Sequence, residues 1–109
     1  MRYPAAVLLA VLGTVAHAQT LQGVAAGCRH QMSADAGNPL PNAEAQTQAG
    51  YCIASIRHFV ERRCPQARID ERAAVREVVA YSDAHPERAG APVDAVLPDV
   101  LAGLGCRQQ

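Results

Sequence analysis

The chain has no lysine and no tryptophan, and it carries one phenylalanine and three tyrosines. All ten of its basic residues are therefore arginine, and ten acids balance them to a formal net charge of zero. A surface of balanced, mixed sign has no footprint for a polyanion, and no basic–aromatic stripe is present to track a nucleic-acid strand. Also missing are a phosphate-cradling glycine loop, a metalloprotease histidine pair and any Cys-x-x-Cys. Successive cysteines Cys28, Cys52, Cys64 and Cys106 stand 24, 12 and 42 residues apart, which is not the clustering of a closed zinc site. Neither a metal nor an organic cofactor is expected. No run of 18 apolar residues follows the amino-terminal region, so no membrane span is expected.

What is present begins with an export signature. Residues 1–18, MRYPAAVLLAVLGTVAHA, combine an early arginine, a short apolar core and Ala16-His17-Ala18, with small residues at its first and third positions. This pattern predicts a cleaved secretory signal and one mature domain over residues 19–109. Without Arg2 that domain has nine arginines against ten acids. A domain of this size buries a modest core, and in an oxidising compartment four cysteines can supply two staples.

Periodicity predicts an all-α fold, a small disulfide-linked bundle of about four helices. From Thr20 to Gln31, Leu21, Val24, Ala25 and Cys28 recur at helical steps, with Thr20 as cap. Gly37 to Asn42 reads as a loop. A second helix follows Asn42 to about Arg62, its inward stripe being Ala45, Ala49, Cys52, Ile53, Ile56, Phe59 and Val60. Cys64-Pro65 closes it. Asp70 is placed to cap a third helix whose Ala74, Val75, Val78 and Val79 share a face, although the valines also admit a strand from Val75 to Ala80. A fourth helix fits Val93 to Leu104, with Val93, Val96, Leu97, Val100, Leu101 and Leu104 on one side. Pro98 falls inside it and implies a kink or a restart there.

Four cysteines permit three pairings, and sequence does not choose among them. Joining Cys28 to Cys52 and Cys64 to Cys106 would tie neighbouring helices and is the preferred reading. His58 lies three residues from Ser55, but no orienting acid or oxyanion hole can be placed around them, so a small hydrolase is the weakest reading. His85, beside Asp83, Pro86 and Glu87, is better suited to organising a connector, or to meeting a partner, than to proton transfer.

The order of Cys64-Pro65, a valine-bearing helix ending at Tyr81, His85-Pro86-Glu87, Pro92, Leu97 and the closing Cys106 resembles the exported immunity proteins of the Rap/Tai type. The likeness covers residues 49–106 strongly and residues 21–28 more loosely. It implies a periplasmic protein without catalytic activity that binds and occludes a peptidoglycan amidase effector delivered by type VI secretion, and it further implies a homodimer. The resemblance transfers no inhibitory motif. Arg57, His58, Arg62, His85 and Glu87 are the expected partner contacts, chosen by expected exposure. An acid-stress chaperone of the periplasm, or another small helical binding module, is the competing expectation.

Overall fold

The structure, a computed structural model, describes residues 20–106. The expected signal at residues 1–18 lies outside them. Four helices follow in order: α1 (Leu21–Asp35), α2 (Ala43–Arg63), α3 (Glu71–Ala84) and α4 (Val93–Ala102), with a 3-10 turn at Pro86–Arg88 before α4. The all-α class is as expected, and the valines of α3 are helical, so the strand alternative is set aside.

Local chemistry accounts for the ends. Thr20 Oγ1 accepts from the Gly23 amide at 3.2 Å and opens α1. The helix runs one turn past Gln31, where the Gln31 side-chain amide donates to Asp35 four residues on at 3.0 Å. Gly37, at φ +91°, then turns the chain, and the Asn38 amide returns to the Ser33 carbonyl at 3.0 Å. Asn42 Oδ1 caps α2 by accepting from Ala45 at 2.8 Å, and Arg62 and Arg63 fall in its negative last turn.

Asp70 departs from expectation. It stands at the start of α3, but its side chain makes no capping hydrogen bond. The Asp70 carbonyl accepts the first intrahelical bond, from Ala74 at 2.9 Å, and Glu71 supplies the negative charge of the first turn.

Pro98 also resolves simply. It is the sixth residue of a continuous α4, half-buried, so the restart is not taken. The helix ends at Ala102, two residues before Leu104, and Gly105 at φ +97° swings Cys106 back.

The core joins one face of every helix. Phe59, Leu21, Leu97, Leu101, Val24, Val75, Val78 and Val96 are its largest fully buried side chains. Ile53 and Val60, expected inward, are half-buried at its edge. Both disulfides are part of this core: Cys28–Cys52 joins α1 to α2, and Cys64–Cys106 joins the end of α2 to the end of α4. Their Cα separations are 5.1 and 5.4 Å, within the ordinary span of the bond. No polar or charged residue is buried among the described residues.

One helix contact leaves no mark in the apolar periodicity. Gly27 lies on α1 against the backbone of α2, where a Cβ would stand 1.9 Å from the Gln48 carbonyl oxygen. The absence of a side chain there lets the two helices meet beside the Cys28–Cys52 bond.

Candidate functional site

The segment from Tyr81 to Pro92 is the most densely bonded connector in the fold. Pro86 cannot continue α3 and holds His85 away from helical geometry, so the helix stops at Ala84. His85 then folds back. Its backbone amide donates to the Tyr81 carbonyl at 3.0 Å, and its Nδ1 lies 3.0 Å from the same oxygen. A carbonyl only accepts, so Nδ1 carries the proton in this contact and Nε2 is the position left for other chemistry. The imidazole also stacks on the Tyr81 ring, with centroids 4.0 Å apart and planes 20° from parallel.

Arg88 closes the other side of the corner. Its Nη1 donates to the Tyr81 hydroxyl at 2.6 Å and to Asp99 Oδ2 of α4 at 2.8 Å. The hydrogen bond to Asp99 first, and that to Tyr81 second, raise the Arg88 pKa above its ordinary value. An arginine is charged throughout the working pH range in any case, so these bonds act by fixing where that charge sits.

The corner reaches α1 as well. Two amides of the first turn of α1, which have no partner within their own helix, donate outward: Leu21 to the Ala91 carbonyl and Gln22 to the Ala89 carbonyl, each at 2.9 Å. Arg29 of α1 pairs with Asp83 near the end of α3, and this hydrogen bond raises the Arg29 pKa. The connector is thus a three-way junction of α1, α3 and α4.

The expected contact residues do not converge. Arg57 and His58 are exposed on α2, and Arg57 pairs with Glu71 at the start of α3: Nη2 donates to Oε2 at 3.1 Å, and Nε lies 3.0 Å from Oε1, a buried oxygen that accepts no hydrogen bond. Arg62 reaches Asp94 at the start of α4 at 3.3 Å. His85 is half-buried in the junction, and Glu87 is exposed on the 3-10 turn. Glu71 and His85 mark opposite ends of α3, about 20 Å apart at 1.5 Å per residue. Arg57 and His85 therefore belong to different regions of the surface.

The pairing of Arg88 with Asp99 is not legible in the sequence, because it crosses a turn and follows no helical spacing. Among the described residues, no group of three or more His, Cys, Asp or Glu could hold a metal, and both cysteine pairs are consumed as disulfides. Also among these residues, no helix is long and apolar enough to cross a membrane. Ser55 is half-buried and His58 is exposed, both on α2. No family model, curated protein or solved structure matches the chain.

Proposed function

We propose that this chain is an exported immunity protein that binds a peptidoglycan amidase effector of type VI secretion and occludes its active site in the periplasm. The observation that carries the reading is the junction. Tyr81, His85, Pro86, Glu87 and Pro92, which bear the resemblance, belong to one bonded unit that leaves Glu87 exposed.

Two further observations agree with it. The paired cysteines are those of an oxidising compartment, consistent with cleavage of residues 1–18 during export. The charged side chains gather at the surface, as recognition by shape and directed hydrogen bonds requires. The function needs no cofactor and no catalytic residue of its own. Arg57, His58, Arg62, His85 and Glu87 are the proposed contacts, divided between the α2 face and the junction, and a homodimer belongs to the same proposal.

The test is direct. The oxidised chain is mixed with peptidoglycan amidases from a candidate secretion locus, and complex formation and peptidoglycan hydrolysis are measured. A stable complex with loss of hydrolysis is expected. No binding and no inhibition at micromolar protein would sink the proposal.

A further inference from the structure

Beyond the junction, the second half of α2 and the link that follows it enclose an open hollow of about 290 Å³. Its floor is aliphatic: Ile56 and Val60 come from α2, and Ala67 and Ile69 from the link. Ile56 is buried, whereas Val60, Ala67 and Ile69 are half-buried and pack on the core from outside. The link is held in its arch at both ends. Cys64 is bonded to Cys106 and its carbonyl accepts from Ala67 at 3.0 Å, while the Asp70 carbonyl starts α3. The hollow is therefore built into the fold.

The charge around it is uneven. Arg57, Glu61 and Glu71 form the rim, and the Arg57 guanidinium is ion-paired with Glu71, donating Nη2 to Oε2. That pair closes on itself. Glu61, exposed on α2, is left as a carboxylate outside the ion pairs of the described residues. An apolar floor with one uncompensated negative charge on its lip matches a long side chain with a hydrocarbon stem and a cationic head. An acidic segment would meet the unpaired Glu61 and be repelled. A purely aliphatic one would make no use of the lip.

We propose that this hollow receives a lysine or arginine side chain of a protein partner, with its stem along Ile56, Val60, Ala67 and Ile69 and its cation on Glu61. The inference rests on the reading of the chain as a binding protein. It extends the α2 face, where Arg57 already lies, onto the link that follows, and gives it a charge sign.

Three small probes of equal stem length isolate the chemistry: n-hexylammonium, n-hexanol and n-hexanoate, titrated into the oxidised chain and followed by amide NMR shifts. Saturable shifts confined to the lining residues are expected for n-hexylammonium, with a Kd on the order of 10 mM for so small a ligand. Binding should be about threefold tighter than for n-hexanol, the scale of one exposed ion pair, and weakest for n-hexanoate. Glu61→Gln should erase the preference, and Glu77→Gln, on α3 and outside the lining, should leave it intact. Equal affinity for all three probes, a preference that survives Glu61→Gln, shifts scattered over the surface, or no saturation would each overturn the proposal. Because these probes need no amidase, the hollow can pass while the immunity reading fails. Conversely, an amidase complex indifferent to Glu61→Arg would remove the hollow and leave the immunity reading standing.

Discussion

At Gly27 a methyl group would sit 1.9 Å from the Gln48 carbonyl oxygen and 2.6 Å from its carbon, against backbone that no rotamer change can move aside. Gly27→Ala must push α1 from α2, and overpacking of this kind costs about 3 kcal/mol. Urea unfolding should show a lower midpoint with an unchanged slope. Gly50, exposed within α2, is the contrasting position, since nothing lies within 4 Å of its would-be Cβ. Gly50→Ala should add about 1 kcal/mol by restricting the unfolded chain and favouring helix. Tyr81→Phe tests the junction at one atom. It deletes the hydroxyl that accepts from Arg88 but keeps the ring that stacks on His85. A modest fall in melting temperature is expected, together with faster exchange of the Leu21 and Gln22 amides, which donate to the same connector.

Among the elements, the two disulfides differ in what they close. Cys28–Cys52 spans 24 residues and Cys64–Cys106 spans 42, which corresponds by loop-closure entropy to about 3.5 and about 4 kcal/mol. Against the ~5–15 kcal/mol net stability of a small domain, losing both is a large fraction. Replacing Cys64 and Cys106 together by alanine should lower the unfolding free energy by about 4 kcal/mol in denaturant titration. Full reduction of the native chain should leave it largely unfolded at 37 °C by circular dichroism. In α4, Pro98 withholds the amide that would reach the Asp94 carbonyl, yet the helix continues through it because Val93, Val96, Leu97, Val100 and Leu101 are all buried on one side. Pro98→Ala should therefore stabilise the protein, by up to about 3 kcal/mol, read as a rise in the denaturation midpoint.

For the whole molecule, the arrangement of charge decides how a partner could be held. Arg57 and Arg62 are tied to Glu71 and Asp94, so each already joins two helices. Their replacement by alanine removes a cross-helix tie as well as any contact. His58 and Glu87 are exposed and can be changed at little structural cost. If the proposed amidase complex forms, His58→Ala and Glu87→Ala should reveal which region carries it: a loss of affinity of tenfold or more, about 1.4 kcal/mol, marks an anchor. Comparing melting curves of the same variants separates lost contact from lost fold. Retention of full affinity by both would exclude these two exposed residues as anchors.

Much of the fold was legible in the chain. Helical recurrence of apolar residues, the cap at Thr20, the loop at Gly37 and the stop at Cys64-Pro65 are local signals, and local sterics and hydrogen bonding decide them wherever they occur. So too are the all-α class and the need for staples in so small a core. The tertiary structure alone decided which cysteines meet, since that depends on how helices far apart in sequence are laid side by side. It also decided that Gly27 stands at a helix contact, that Arg88 links Tyr81 to Asp99, and that the expected contacts fall in separate regions instead of one patch. Spacing along the chain carries the period of a single helix. It carries no record of which faces come together, because that is settled by the packing of the whole core.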